Sequence, residues 1–357
     1  MAKKILELCL SPDLGGLELY AYNCYHNFVQ STDVEFAIAK GSKLDDYFDD
    51  ANKIYIKRSK IPLLSAWKLA KYIDTQGIDI VHFHWTKDIL TVVLANFLSK
   101  SKPKIVQSRH MRMTRFKDDL YHRWLYKNVD IMHAVTKEVQ NQLEKFIPQD
   151  ILPQVVTIYP GVKPKSLMNL SDLENKYKSS DSFLLVIVGR IEEAKGQSVA
   201  IEAIAMLKEL NIVLFVVGAP MEETYLEKLQ ARVKTLAVSE KVIFTGFTKD
   251  VDKYMQLCDV SVMATENETF GLVVVESMVN QTPVIAKNRG GPLEIIEDSV
   301  DGIFYDGSAS DLAEKIKILY NDRKLLAKLQ ENGIKKVEER FDFQTQLNKL
   351  YKVINES

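Results

Sequence analysis

The sequence has 357 residues, 46% of them hydrophobic and 27% charged, which is typical of a globular protein with about two domains. Its 47 basic residues nearly balance its 48 acidic ones, which excludes a protein that attracts nucleic acid through its overall charge. No segment approaches the roughly 20 apolar residues that a membrane-spanning helix requires, and the N-terminal apolar run is too short for a signal peptide. The three cysteines, Cys9, Cys24 and Cys258, are widely spaced among apolar residues. This pattern favours reduced thiols in a cytoplasmic protein.

Short apolar runs alternate with helical patterns through the first half of the chain. Strands are predicted at residues 5–10, 34–39, 54–56, 78–84, 104–108, 130–135 and 155–159. Helices are predicted at residues 17–30, 63–74, 88–98 and 136–146. Short buried strands that alternate with helices predict a mostly parallel sheet covered on both faces.

A turn at Tyr159-Pro160-Gly161 and the polar stretch after it place a domain boundary at about residue 163. The alternation then begins again, with strands at residues 183–188, 213–217, 242–244, 260–263 and 284–286. The sequence therefore predicts two doubly wound α/β domains, residues 1–163 and 164–340. Ligands of such sheets bind at the carboxyl ends of the strands, so we expect a cleft between the domains. Residues 341–357 form a last helix, which either stays with the second domain or returns to the first.

Gly15 and Gly16 follow the first predicted strand and precede a helix, where the backbone can approach a diphosphate closely. A bare pair of glycines is also compatible with an ordinary turn. The G-x-G-x-x-G pattern of dinucleotide-binding proteins is absent from the sequence, which argues against a dehydrogenase.

Three histidines fall on or just after predicted strands of the first domain. His82 and His84 alternate on one strand and share a face. No cysteine or carboxylate with ligand spacing accompanies them, so we expect no metal here. His110 follows the strand at 104–108, where an inward-facing side chain enters the cleft.

The stretch from Lys104 to Tyr126 carries six basic residues and several large apolar ones. It is typical either of a solvated helix with an apolar face in the core or of a segment that meets an anionic membrane surface or an acidic acceptor. Arg109 and Arg112 belong to this stretch and, with His84, are candidates for the acceptor side of the cleft.

In the second domain, Val188-Gly189-Arg190 ends a predicted strand, and Lys195 follows five positions after Arg190. A planar guanidinium and a compact ammonium can together hold a diphosphate without a metal and stabilise the charge that develops when it leaves. Such a pair seen alone is more often only solvated.

Asp250-Val-Asp252 is the one D-x-D triplet, the pattern that can hold Mg²⁺ and a diphosphate. It precedes a predicted helix, so we favour an acidic helix start. The turn at Gly246-Phe247 just before it is a candidate to pack against a nucleotide base.

Glu268 and Glu276 are eight positions apart, the first in a loop after a strand and the second in the following helix. The helix start at Phe270-Gly271 offers unpaired N–H groups and the positive end of the helix dipole to a phosphate. One carboxylate can then hold a diol beyond the phosphate, and the other a polar ligand in front of it.

These residues, with Thr282-Pro283 following, resemble the E-x7-E signature of retaining nucleotide-sugar glycosyltransferases of the GT-B fold, family 4. The resemblance covers nearly the full chain and includes the Gly15-Gly16 loop, His110, Arg190 and Lys195. It departs from the family's pattern where Asn280-Gln281 replaces the usual small residue, which leaves the form of that turn open.

The resemblance implies a GT-B enzyme that transfers a sugar from a UDP- or GDP-sugar to an acceptor hydroxyl with retention of configuration. Arg190 and Lys195 would neutralise the leaving diphosphate, Glu268 would hold sugar hydroxyls, and Glu276 would bind the ribose diol. His110 would contact the donor sugar. The remaining donor-binding positions are Gly15, Gly16, Gly189, Phe247, Thr269, Phe270, Gly271 and Leu272.

No cofactor and no metal is expected, because the nucleotide-sugar is itself a substrate and the cations at Arg190 and Lys195 serve its diphosphate. The resemblance suggests an enzyme of the hexosyltransferase type in cell-surface polysaccharide, lipopolysaccharide or glycolipid synthesis. The partners would be a glycan or a lipid-linked acceptor, with peripheral contact at the inner face of the cell membrane. Two alternatives stay open, a nucleotide-sugar epimerase of the same architecture and a non-catalytic nucleotide-sugar-binding protein.

Overall fold

The computed structural model describes residues 3–48, 53–59, 61–179 and 181–356. The chain divides into two units. The first comprises the residues up to Pro160 together with those from Gln344 onward, and the second comprises Gly161–Phe343. Each is a parallel sheet with helices, as the alternation in the sequence predicts.

In the described part of the first unit, seven parallel strands pair in the order β3-β2-β1-β4-β5-β6-β7. Their bounds are β1 Ile5–Cys9, β2 Val34–Ile38, β3 Lys53–Tyr55, β4 Ile80–Phe83, β5 Lys104–Arg109, β6 Ile131–Ala134 and β7 Gln154–Thr157. The central strand β1 is buried at every position, which is why it is nearly all apolar in sequence. The order reverses direction between β1 and β4, and this switch point is where open α/β sheets leave a crevice for ligands.

The described part of the second unit repeats this plan with six parallel strands in the order β10-β9-β8-β11-β12-β13. Their bounds are β8 Phe183–Val188, β9 Ile212–Val217, β10 Val242–Gly246, β11 Val260–Met263, β12 Val284–Lys287 and β13 Ile303–Tyr305. Its switch point lies between β8 and β11. The three-residue strand β13 was not among the strands predicted from the sequence.

The helices cover both faces of the two sheets. Their bounds are α1 Gly16–Phe28, α2 Lys43–Tyr47, α3 Leu63–Gln76, α4 Ile89–Leu98, α5 Leu120–Lys127, α6 Lys137–Phe146, α7 Ser171–Tyr177, α8 Gln197–Met206, α9 Glu223–Thr235, α10 Val251–Leu257, α11 Leu272–Val279, α12 Pro292–Ile295, α13 Ala309–Asn321, α14 Arg323–Arg340 and α15 Phe343–Glu356. Several begin with a side chain that accepts a hydrogen bond from the first turn, as Thr136 does from the backbone N–H of Val139 at 3.2 Å. Within the described ranges, no helix combines the length and the apolar character needed to cross a membrane.

The last helix, α15, belongs with the first unit from Gln344 onward. The ammonium of Lys3 donates to the carbonyl of Asn355 at 2.6 Å, and that of Lys104 donates to the carbonyl of Ile354 at 3.1 Å. Both lysines thereby neutralise the negative end of the helix dipole.

Candidate active site

The loops that follow β8, β9 and β10 form a row of tight glycine turns at the carboxyl edge of the second sheet. Gly189, Gly218 and Gly246 all have positive φ angles, of 146°, 148° and 71°. A Cβ on Gly218 would lie 2.0 Å from the carbonyl oxygen of Gly189, so only glycine lets these two loops approach each other. Phe247 follows Gly246 with its side chain 74% exposed, so its ring is open to a ligand.

Arg190 and Lys195 both follow β8, and they differ in how firmly they are held. The side chain of Arg190 is 66% exposed, and its one ion-pair partner among the described residues is Glu192 at 3.3 Å. Lys195 is half-buried, and its ammonium lies 3.1 Å from the Glu268 carboxylate. The two predicted cations therefore share one loop at the switch point, with Lys195 fixed and Arg190 free to move toward a ligand.

Gly196 brings Lys195 close to Glu268. Its φ is 72°, and a Cβ there would lie 2.4 Å from the carbonyl oxygen of Ala264. A larger residue would therefore push the loop after β8 away from the loop after β11.

Gly290 and Gly291 pack closely against the backbone of the Glu268 loop, and neither was predicted from the sequence. The backbone N–H of Gly291 donates to the Glu268 carbonyl at 3.0 Å. A Cβ on Gly290 would lie 2.6 Å from that carbonyl oxygen, and one on Gly291 would lie 2.3 Å from the carbonyl oxygen of Phe270. The signal in the sequence was the run Arg289-Gly-Gly-Pro292 shortly after a strand, a combination that marks close backbone approach.

The helix α11 begins at the predicted place and has no side-chain cap. Gly271 precedes its first residue with φ of 96°, and within the described residues no side chain caps the first turn. The first N–H groups of the helix are therefore available to an anion. Phe270 is buried, whereas Thr269 and Leu272 are partly exposed beside this helix start.

Glu276 lies farther along α11, and its carboxylate makes no hydrogen bond or ion pair with any described residue. Burial raises the pKa of this carboxyl, which Lys165 lowers and the charge of Asp252 raises further. An unpaired carboxylate in a partly buried position is a suitable acceptor for the two hydroxyls of a diol.

The turn after α11, where the sequence departs from the family's pattern, is built around a buried Asn280. Its amide donates to Asp252 at 2.7 Å and accepts from Gln256 at 2.9 Å, which ties α11 to α10. Gln281 follows with a φ of 65°, a conformation that costs an ordinary residue about 1 kcal/mol. The turn therefore keeps its left-handed shape without the small residue.

Both carboxylates of the D-x-D triplet, Asp250 and Asp252, pair with lysines of the second unit. Asp252 forms an ion pair with Lys165 at 2.7 Å, and Asp250 lies 3.4 Å from the ammonium of Lys253. A further acidic residue, Glu266, bridges Lys287 and Arg289 beside the loop, and the sequence analysis did not find it.

In the first unit, Gly15 and Gly16 lie at the start of α1, as predicted. Gly15 has an extended backbone with φ of −157°. A Cβ on it would lie 3.4 Å from the carboxylate of Glu18, so an acidic side chain stands beside this loop.

His110 is partly exposed at the end of β5, and its ring contacts a cluster of buried polar side chains. Its Nε2 lies 3.4 Å from Nδ1 of His84, and Nε2 of His84 lies 2.7 Å from Glu7. The other oxygen of Glu7 lies 2.8 Å from Nδ1 of His82. Burial and the neighbouring His84 lower the pKa of His110, so its ring is neutral at physiological pH.

The cluster continues on the other side of His82. Its Nε2 lies 2.8 Å from the hydroxyl of Ser108, which lies 2.7 Å from Nδ1 of His133. Nε2 of His133 donates to the carbonyl of Ile158 at 2.7 Å. Glu7, His82, Ser108 and His133 are fully buried, and the sequence analysis assigned Glu7 no role. An acidic residue inside an otherwise apolar central strand was the available signal.

The predicted acceptor-side residues are held inside the first unit. His84, expected to line the cleft, is fully buried. The buried guanidinium of Arg109 donates to the carbonyl of Met111 at 2.8 Å and to the Thr86 hydroxyl at 2.9 Å. Arg112 forms an ion pair with Glu138 at 2.7 Å.

One group of potential metal ligands occurs in the described ranges, formed by Cys24, His82 and His84 within 4.8 Å of one another. Both nitrogens of each of these two rings already have hydrogen-bond partners, so the group fits a polar network better than a metal site.

Comparison with known families gives matches over both units. The model described as "Glycosyltransferase Family 4" matches residues 14–166, and the model described as "Glycosyl transferases group 1" matches residues 171–336. The chain is 26% identical to the uncharacterized glycosyltransferase MJ1178 of Methanocaldococcus jannaschii, covering 97% of this chain and 95% of that protein. It is 28% identical to the capsular polysaccharide biosynthesis glycosyltransferase CapM of Staphylococcus aureus, covering 88% and 87% of the two chains.

Among solved structures, the chain is similar to Anabaena HepE in complex with UDP. The TM-score is 0.86 at 20% identity, and the match covers 99% of this chain and 100% of that one. This similarity identifies the α/β fold with two Rossmann-like units as GT-B.

Proposed function

We propose, from the premise that this chain belongs to glycosyltransferase family 4 and has the GT-B fold, that it moves a sugar from a UDP-sugar to an acceptor hydroxyl. The observation that carries this proposal is the meeting of Lys195, Glu268 and the uncapped start of α11, with Arg190 on the same loop as Lys195. Positive groups that converge at a switch point suit a diphosphate leaving group, because they stabilise the charge that appears in the transition state. The carboxylate at their centre supplies an acceptor for sugar hydroxyls.

The geometry also supports a role for each carboxylate of the E-x7-E pair. Glu268 is already bound to Lys195, so a sugar hydroxyl would meet a carboxylate whose position is fixed. Glu276 has no such partner among the described residues and is available to a ribose diol. We infer uridine as the base because HepE, the structural neighbour, is described with UDP.

The experiment is calorimetric binding of UDP, GDP and ADP to the full chain, each with Mg²⁺ and with EDTA. We expect UDP to bind with equal affinity in both media, since Arg190 and Lys195 supply the charge that a metal would otherwise provide. Glu276→Ala should weaken the binding, whereas Glu202→Ala, on the outer face of α8, should leave it unchanged. Binding that requires Mg²⁺ would contradict metal independence, and tighter binding of GDP would change the donor.

Retention of configuration is a separate part of the proposal. The carboxylate beside the predicted sugar position, Glu268, is occupied by Lys195. We therefore infer a front-face reaction in which the leaving phosphate accepts the proton of the acceptor hydroxyl. Proton NMR of the freshly formed product checks this, because an α-linked donor must then give an α-linked product. A β-linked product would rule out retention.

For the acceptor, we propose a cell-surface polysaccharide, lipopolysaccharide or glycolipid, with transfer of the hexosyl type. The similarity to CapM supports this class, because that relative is named for capsular polysaccharide biosynthesis. The match to two glycosyltransferase models supports transfer over epimerisation or simple binding. An epimerase would change the nucleotide-sugar when no acceptor is present, and product analysis without acceptor distinguishes the two.

A lipid-linked acceptor requires contact with a membrane, and two surfaces of the first unit suit it. The predicted stretch from Lys104 to Tyr126 does not form one helix, since α5 begins only at Leu120. Its apolar side chains Met111, Phe116, Leu120 and Tyr121 are exposed, but Arg123 is paired with Asp118 and Asp150. Its positive charge is thus partly neutralised within the protein.

The start of α3 is the better candidate, because its basic residues are not neutralised. Ile61, Leu63, Leu64 and Trp67 are all more than half exposed there. Four basic residues, Lys57, Arg58, Lys68 and Lys71, lie within a few positions of them in the sequence and form no ion pair with a described residue. Exposed apolar side chains with a tryptophan and a ring of basic groups are typical of a surface that lies on anionic lipid.

Both surfaces follow strands of the first sheet at their carboxyl ends, the edge on which His110 also lies. A membrane bound there would present a lipid-linked acceptor on that side of the unit. Co-sedimentation with vesicles of neutral lipid, and with about 30 mol% anionic lipid, tests the contact. We expect salt-sensitive binding to the anionic vesicles only, lost in Leu64→Glu/Trp67→Glu and kept in the control Phe97→Glu at the end of α4. Binding that survives the double substitution would exclude α3.

A further inference from the structure

In the buried cluster around Glu7, a donor and an acceptor can be assigned to each hydrogen bond. Glu7 accepts from His82 and from His84 when it is ionised, and the Ile158 carbonyl accepts from His133. Each of these three neutral rings has then used its one proton. Burial would raise the pKa of the Glu7 carboxyl, but His82 and His84 hold it below its ordinary value, so the ionised form is the appropriate starting point.

Two further contacts converge on the hydroxyl of Ser108, from Nε2 of His82 at 2.8 Å and from Nδ1 of His133 at 2.7 Å. A hydroxyl carries one proton, so it can donate to only one of these two nitrogens. The other contact needs a proton from a ring. The complete series of hydrogen bonds therefore requires one proton more than the neutral rings supply. This proton balances the negative charge of Glu7. The buried cluster is then uncharged as a whole, which is the arrangement that costs least inside a protein.

The added proton belongs on His82, because it is the one of the two rings contacting Ser108 that also contacts Glu7. Burial lowers the pKa of His133 to about 3, which disfavours the charge there. His82 then donates to Glu7 and to Ser108, and Ser108 donates to His133.

The hydrogen bonds that run from Glu7 through His84 determine the tautomer of His110. Because Nε2 of His84 donates to Glu7, Nδ1 of His84 carries a lone pair. It accepts from Nε2 of His110 at 3.4 Å, the longest bond of the chain, and the two rings stack with centroids 5.7 Å apart. Nδ1 of the neutral His110 is left as an acceptor, with no partner among the described residues. Tyr20 packs against the His110 ring at 4.9 Å and holds its orientation.

We propose that Glu7 is a positioning residue which, through His84, fixes His110 as an acceptor for a hydroxyl of the donor sugar, while the proton on His82 keeps the buried site neutral. This inference rests on the proposed function for the identity of the ligand, and on the hydrogen-bond geometry for the tautomers. Glu7 and His84 do not touch the substrate. They act by deciding which nitrogen of His110 carries its proton.

The first test needs no substitution and no substrate. In full-length protein with ¹⁵N-labelled histidine, long-range ¹H–¹⁵N spectra distinguish the two neutral tautomers from the imidazolium form. From the hydrogen-bond geometry we expect His110 to be protonated at Nε2 only and His82 to be protonated at both nitrogens. A His110 protonated at Nδ1, or a His82 protonated at one nitrogen only, would overturn the proposal.

Glu7→Gln tests the positioning role, because its amide can accept from one histidine only. We expect mixed tautomers at His110 and about a tenfold lower kcat/KM for the UDP-sugar, the size of one lost hydrogen bond. UDP itself should bind as before, because it has no sugar hydroxyl to reach His110. Ser108→Ala should destabilise the fold but keep the His110 tautomer, because it removes only the hydrogen bonds to His82 and His133. The control Thr136→Ala removes a helix cap in the same unit and should alter neither the tautomers nor kcat/KM.

The outcomes separate this inference from the proposed function. Normal kcat/KM in Glu7→Gln with altered tautomers would overturn the positioning role and leave the transferase intact. If the chain turns over no nucleotide-sugar at all, the proposed function fails, and the ligand assigned to His110 fails with it. The spectra still decide whether Glu7 controls the His110 ring.

Discussion

Both units have polar groups at the switch point of the sheet. In the first unit these groups are buried within strands, whereas in the second they lie in loops. In the first unit, Glu7 and His82 lie within paired strands at the switch point and are fully buried. In the second unit, Arg190 and Glu268 lie in loops just past the strands, and Arg190 is mostly exposed. A buried network is arranged before any ligand arrives, whereas exposed charges on loops are completed by the ligand. We therefore expect substitutions within the buried network of the first unit to change stability and orientation, and substitutions of the loop charges of the second unit to change ligand binding and turnover.

The largest expected effect is that of Arg190→Ala. Loss of one cation from the leaving diphosphate should lower kcat by about 100-fold to 1,000-fold, the range found for single groups that stabilise a developing oxyanion. The melting temperature should stay almost unchanged, because the side chain is exposed. The matched control is Arg232→Ala, a half-exposed arginine paired with Glu202 on α8, which should leave kcat unaltered. A large loss of stability in Arg190→Ala would contradict the contrast between the units.

Glu276 should show its role through pH. Burial raises the pKa of its carboxyl, so it takes up a proton at a higher pH than an ordinary glutamate. Only the ionised form accepts both hydroxyls of a diol, so UDP affinity should fall as the pH is lowered toward about 5.

Glu276→Gln should bind UDP about tenfold more weakly at neutral pH and should lose this part of the pH dependence. Calorimetric titration across the acidic range gives both values. If the wild-type and the variant lose affinity in parallel, the pH dependence comes from another group.

Asp88 tests the cost of burial in the first unit. It is buried, and its carboxyl group accepts from the backbone N–H of Leu10 at 2.9 Å. Burial raises its pKa to about 8, so the folded protein holds a proton that the unfolded chain has already released above about pH 4. The free energy of unfolding should therefore fall as the pH rises from about 5 to 8.

Asp88→Asn should remove this slope, which amounts to as much as about 1.4 kcal/mol per pH unit, and should be more stable than the wild-type at the upper end of the range. The control is Asp74→Asn, because hydrogen bonds from Ser99 and the backbone of Lys100 lower the pKa of Asp74. Its titration lies below this window. Denaturant unfolding at several pH values measures both, and an unchanged slope in Asp88→Asn would contradict the assignment.

The smallest effect is expected at Gln281, whose left-handed backbone is outside the charged site. Gln281→Gly should raise the free energy of unfolding by about 0.5–1 kcal/mol, since glycine adopts this conformation without steric cost. The neighbouring Asn280 keeps its contacts, so UDP binding should not change. Gln330→Gly, in the middle of α14, is the opposite control and should destabilise by a similar amount.

The sequence alone was sufficient for the features that depend on local periodicity. The alternation of strands and helices predicted two parallel α/β units, and the start of α11 after Phe270-Gly271 was predicted to the residue. The family was recognised from the glutamate pair and its context, and the matched family models confirm it. The short elements β13 and α12, of three and four residues, were not predicted.

Only the tertiary structure showed which side chains meet across the sheets. His84 was expected beside the acceptor, but its strand pairs with β1, so Glu7 and the ring share one buried face. Only the structure shows that Arg109 and Arg112, predicted on the acceptor side, also hold a loop and a helix of their own unit. Strand order and register decide such contacts, and neither can be obtained from spacing along one strand. The sequence thus determined which residue types are available at the ends of the strands, and the pairing of distant strands decided which of them are buried and which remain free for a ligand.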